Sequence, residues 1–121
     1  MDLNSLKYYC LSKRGTTEDF PFDDKTLVLK VGSKIFAITN INDPYFKVSL
    51  KCDPYLANDL RRDYLAIKPG YHLNKTHWNT IEIDGNLSDD KIYWLLDLSY
   101  DLVFKGLKKD EKNRIANLKK N

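Results

Sequence analysis

Two short apolar runs separated by a two-residue turn set the first constraint on what this chain can fold into. Thr26–Val31 alternates, with Leu27 and Leu29 on one face and Val28 and Lys30 on the other. Lys34–Thr39 carries Ile35, Phe36, Ala37 and Ile38, and Gly32-Ser33 stands between the runs. So short a connection returns the chain beside itself, because a parallel pair needs a crossover of about a dozen residues or more. Asn40–Pro44 is a second cluster of turn-favouring residues. Tyr45–Lys51 follows as a third strand with Phe46, Val48 and Leu50 on one face. The reading is a meander of consecutive antiparallel strands.

Helical patterns flank the meander. Asp2 or Asn4 can cap a first helix whose apolar positions are Leu3, Leu6, Tyr9, Cys10 and Leu11, and Arg14-Gly15-Thr16-Thr17 ends it. Glu18–Asp24 reads as an ordered loop anchored to the core by Phe20 and Phe22. Asp53-Pro54 opens a second helix, Asp as cap and Pro at the first helical position, with Leu56, Ala57, Leu60 and Tyr64 as its apolar stripe. After the Pro69-Gly70 turn, Tyr71–Leu73 is expected as a short extended piece and His77–Ile83 as a strand. Ser88, backed by Asp89 and Asp90, caps a long last helix in which Ile92, Leu95, Leu96, Ser99, Leu102, Val103 and Leu107 recur at helical spacing. The expected order is α-β-β-β-α-β-β-α. That is a two-layer α+β domain, an antiparallel sheet with helices packed on one face. The second sheet face or a sheet edge is then the expected interaction surface.

Size and charge narrow the function. A chain of 121 residues is one ordinary domain and needs no metal or disulfide to fold. No apolar run reaches the ~18–20 residues of a membrane span, and the N-terminus lacks a signal-peptide pattern. The expectation is therefore a cytoplasmic protein without a membrane partner. Cys10 and Cys52, the two cysteines, lack CxxC spacing and read as buried apolar residues. Residues 108–121 carry six basic side chains against two acidic ones, a net +4, whereas the whole chain is +3. The body, residues 1–107, is thus slightly acidic, and residues 108–121 form a basic C-terminal tail or helix extension. A basic face on the body must come from arrangement.

Several strings in register resemble the MmcQ/YjbR family. They are Phe20-Pro21-Phe22-Asp23, Lys34-Ile35-Phe36-Ala37, Leu50-Lys51-Cys52-Asp53-Pro54, Pro69-Gly70-Tyr71-His72-Leu73-Asn74-Lys75-Thr76-His77-Trp78 and Ser99-Tyr100-Asp101-Leu102-Val103. The resemblance implies a fold similar to type III secretion chaperones. It also implies DNA binding through a double-wing arrangement of hairpins.

The Pro69–Trp78 segment concentrates groups able to bind something. Lys75 can meet a phosphate, and Tyr71, His72 or Trp78 can stack on a base. Lys34 and Lys51, at strand ends, can join Lys75 in a phosphate-contacting patch. Asn74 and His77 complete the candidate set. The plainer reading is a folded turn, with Tyr71 and Trp78 buried, Asn74 satisfying loop backbone groups and the lysines guarding strand ends. Arg61 and Arg62 neighbour Asp59 and Asp63 and read as a solvated, ion-paired helix face. No Ser-His-Asp ordering, glycine-rich phosphate loop or paired-carboxylate pattern is present. The expectation is a non-enzymatic DNA-binding or regulatory module without a cofactor. The alternative is a pocket or partner module for a small anionic ligand or a protein segment, as monomer or homodimer.

Overall fold

The computed structural model describes residues 1–118; Lys119 and Lys120 of the basic tail lie outside the described residues. Local chemistry sets where the helices start. α1 (Leu3–Leu11) begins after Asp2, whose carboxylate accepts the Ser5 N–H at 2.8 Å. Four strands follow: β1 (Thr16–Asp19), β2 (Thr26–Val31), β3 (Lys34–Asn40) and β4 (Lys47–Lys51). α2 (Pro54–Asp63) is capped by Asp53, which takes the Tyr55 and Leu56 amides. β5 (Ile67–Pro69) and β6 (Trp78–Glu82) come next. α3 (Asp89–Lys105) is capped by Ser88 and has Asp89 and Asp90 in its first turn, where the helix dipole favours anions. α4 (Lys109–Ala116) closes the described chain.

The sheet order is β1-β2-β3-β4-β6-β5, with every pairing antiparallel. The α+β class and the meander agree with the sequence reading. α3 lies across β2, β3 and β4 and buries Ile92, Leu95, Leu96, Ser99 and Val103 against them. Val48 and Leu50 share the core with Phe36, Ile67 and Ile81.

Four details differ from expectation. Thr16–Asp19 was expected as a helix end and loop, yet it is an edge strand paired with β2. Its side chains are mostly exposed, so backbone pairing holds it and no hydrophobic alternation announces it. The short strand before β6 is Ile67–Pro69, and 71–73 is loop, because the buried Ile67 pairs with Ile81. The β1–β2 loop is not held by its phenylalanines. Phe20 and Phe22 are exposed, and the Asp23 carboxylate anchors the loop through the Lys25 and Thr26 amides. Finally, the last helix stops at Gly106 and a separate α4 follows.

α4 is docked, not trailing. Ile115 is 2 % exposed and belongs to the core. Glu111 accepts hydrogen bonds from the Ser33 N–H and, at 3.0 Å, from the Ser33 hydroxyl. The β2–β3 turn can meet α4 this closely because Gly32 sits at φ +57 and has no Cβ.

Candidate functional site

β3 carries an extra residue. Leu29 pairs with Ala37 but Lys30 pairs with Ile35, so Phe36 stands unpaired with β2 in a β-bulge. The face turned from the helices is a row of cross-strand partners, Val28, Ile38, Ser49 and Thr80. Ser49 and Thr80 hydroxyls lie 2.8 Å apart, and Thr80 Oγ1 also accepts the Tyr71 N–H at 2.9 Å. That bond brings the start of the β5–β6 loop over the sheet.

Between this loop and the β1–β2 loop runs a groove of about 390 Å³, inside the range of roughly 300–1,000 Å³ usual for ligand sites. Ile38, Ser49 and Thr80 form its floor. Phe22, Tyr71, His72 and Leu73 stand around it, with Lys47 and Asp43 at the β3–β4 end. Tyr71 is 70 % exposed and Phe22 67 %. The Tyr71 and His72 rings meet at 3.9 Å. His72 holds φ +58, a left-handed backbone unusual for a residue with a side chain. Such conformations collect at functional loops, where surrounding structure enforces them.

The loop is built on Arg61, which sequence proximity assigned to Asp59 and Asp63. Arg62 takes both of those carboxylates. Arg61 instead reaches into the β5–β6 connection. Its Nε donates to Asn79 Oδ1 at 2.6 Å, and its Nη2 donates to the Lys75 and Trp78 carbonyls. One planar guanidinium thus closes the loop at three points, a geometry a lysine cannot copy. Gly70 allows the same closure from the other side. A Cβ there would lie 2.8 Å from Trp78 Cβ.

The other candidate residues divide between loop construction and the groove. Asn74 caps its own turn, taking the Thr76 N–H on its side chain and the His77 and Trp78 amides on its carbonyl. Lys75 Nζ turns back to the Gly70 carbonyl at 3.1 Å. Lys34 Nζ caps the end of α3 at the Gly106 carbonyl, also at 3.1 Å. Lys51 is half-buried opposite Trp78 across β4 and β6, and Trp78 is half-buried as well. The His77 carbonyl accepts the Cys52 N–H and its side chain is exposed. Of the candidate set, only Tyr71 and His72 line the groove. Phe22, Ile38, Lys47, Ser49 and Thr80 were missed. The exposed face of the meander was the available signal, but nothing local says which loops fold over it.

Both thiols are buried, which pushes Cys10 up to about 12 and Cys52 up to about 11. Neither is a thiolate near neutral pH.

Comparison with known proteins places this geometry in a lineage. A family model described as YjbR matches residues 11–102. The uncharacterized protein YjbR of Escherichia coli strain K12 is 35 % identical over 118 residues, 98 % of this chain and 100 % of the relative. The crystal structure of Deinococcus radiodurans protein DR2400 superposes with a TM-score of 0.88 at 39 % identity, covering 94 % of this chain and 87 % of that one. A Pseudomonas syringae protein of known structure gives a TM-score of 0.73 at 27 % identity, covering 84 % of this chain and 98 % of its own.

Proposed function

The chain belongs to the YjbR family, and from that premise we propose that it is a binding module whose site is the groove on the open sheet face. One observation carries the reading. Three loops distant in sequence, holding Phe22, Asp43 and Tyr71 to Leu73, converge around a single strand floor. Rigid strands supply the floor and loops supply the contacts, the usual division of labour in a binding site. The strained His72 backbone lies on the wall of this same groove.

The test is a backbone amide NMR screen of the full chain against a mixed small-molecule and peptide panel. Hits should move Ile38, Ser49, His72 and Thr80 together. Hits that move only helix residues would sink the proposal.

Duplex DNA binding is the second reading, and a different part of the surface favours it. Lys34, Lys105, Lys108 and Lys109 are all exposed around the α3–α4 junction. Opposing it, Lys34 and Lys75 already serve backbone carbonyls, and the β2–β3 turn meets the acidic Glu111. A low-salt titration with duplex DNA decides. Binding that weakens steeply with salt and is lost in a Lys108→Glu, Lys109→Glu variant supports this reading. No binding by the intact chain removes it.

A further inference from the structure

Most polar groups in the groove are already engaged. Thr39 Oγ1 donates to the Lys47 carbonyl at 2.6 Å, and the Ser49 and Thr80 hydroxyls bond each other. Thr26 Oγ1 donates to Asp23. Asp43 accepts the Tyr45 N–H at 2.8 Å and faces the Lys47 ammonium at 3.7 Å. Among the described residues Lys47 is the one lysine or arginine lining the groove, and its charge is matched by Asp43 beside it. An anion entering here would meet the Asp43 carboxylate, and the Ser49–Thr80 pair on the floor has a single hydroxyl hydrogen to offer it. The rest of the lining is mainly apolar, Ile38, Leu73 and the rings of Phe22 and Tyr71, with the Tyr71 hydroxyl and the His72 ring at the rim.

The surroundings extend the same chemistry. Phe20, Ile41 and Tyr45 are exposed on the β1–β2 and β3–β4 loops. These loops touch, since the Ile41 N–H donates to the Lys25 carbonyl at 2.9 Å. Apolar surface exposed around a groove, with amphipathic tyrosines in it, is the signature of a protein contact. It reaches beyond the groove, so a compact ligand filling the groove would leave it uncovered.

Resting on the groove as the binding site, we infer that its occupant is an uncharged aliphatic or aromatic side chain presented by a segment of a partner polypeptide, seated over Ile38 between Phe22 and Tyr71. Specificity then comes from shape and apolar contact at the floor. The Tyr71 hydroxyl and the exposed His72 ring remain at the rim for the partner backbone.

Methyl and amide NMR of the full chain can test this with five probes. They are acetyl-Gly-Leu-Gly-amide, acetyl-Gly-Phe-Gly-amide, acetyl-Gly-Glu-Gly-amide, inorganic phosphate and octanoate. The leucine or phenylalanine peptide should shift the Ile38 methyls and the His72 and Thr80 amides saturably. Phe22→Ser should weaken that binding by about tenfold, the change expected from losing one apolar contact. Phe22 is exposed, so this variant keeps the fold. Ile38→Ser serves as a second probe of the floor. Groove shifts from phosphate or the glutamate peptide alone would overturn the apolar occupant while leaving the groove as the site. Octanoate alone would overturn the polypeptide. Silence at the groove from all five would overturn the site and the inference together.

Discussion

Ser99 Oγ donates to the Phe36 carbonyl at 2.6 Å and accepts the Lys51 N–H at 2.9 Å. One hydroxyl in the middle of α3 therefore serves two backbone groups, one at the bulge of β3 and one at the end of β4. Both need it, because a bulge and a strand end interrupt the ladder that would otherwise pair them. Ser99 is fully buried, so water cannot replace it. Ser99→Ala should destabilise the fold by about 1–3 kcal/mol, the cost of leaving buried backbone groups unsatisfied. Urea denaturation measures this; an unchanged midpoint would show that the hydroxyl is dispensable.

Arg61 should act on the groove at a distance. Its guanidinium holds the Lys75 and Trp78 carbonyls and Asn79, and the same loop carries Tyr71 and His72. Arg61→Lys should cost about 1–3 kcal/mol, the scale of charged hydrogen bonds. Hydrogen exchange should speed up first at 70–78, ahead of the α3 core. Arg62→Lys is the control, since Arg62 pairs with exposed carboxylates, where little stability is at stake.

The α4 dock makes Gly32 sensitive. An alanine Cβ would strike the Glu111 carboxylate, and the left-handed backbone adds about 1–2 kcal/mol of its own. Gly32→Ala should loosen α4, seen as faster proteolysis within 106–118 with β3 and β4 still protected. Glu111→Gln should loosen it less, because the amide oxygen still accepts the Ser33 N–H. Equal protection of α4 in both variants would count against the dock as described.

Acid should open the groove wall before the core. Asp23 is held below its ordinary value of 3.8 by the Lys25 and Thr26 amides. A depressed folded pKa means that its contribution is complete above the unfolded value and is lost as pH falls through the folded one. The β1–β2 loop with Phe22 should therefore loosen below about pH 3.8. Amide shifts of Lys25 and Thr26, followed against pH, report it. Asp23→Asn should abolish the pH dependence of these two amides; persistence of the same titration would assign it to another group.

The cysteines should be silent in the native state. With both thiols buried and raised to about 12 and about 11, a thiol reagent at neutral pH should label them only at the rate of unfolding. Rapid labelling of Cys52 in native protein would contradict its burial.

What the sequence by itself determined is what neighbours along the chain decide. Asp2, Asp53 and Ser88 cap the helices that follow them, and Gly32-Ser33 turns β2 into β3. The alternation of Val48 and Leu50 told which face meets α3. These signals act over a few residues, so they survive in the bare string. β1 was illegible for the opposite reason, as its pairing with β2 uses backbone groups that every residue carries. Arg61 and Arg62 are adjacent and chemically identical, yet one pairs with nearby carboxylates and the other builds the loop. Only the position of each on the packed helix separates them. The lysines tell the same story: charge marked Lys34 and Lys75 as binders, but folding brings carbonyls to them. Ser99 reaches a carbonyl 63 positions away and Glu111 a turn 78 positions away. The groove likewise needs loops from both ends of the sheet. Such contacts exist only once the whole core has formed, which is why tertiary structure alone decided where this protein presents a site.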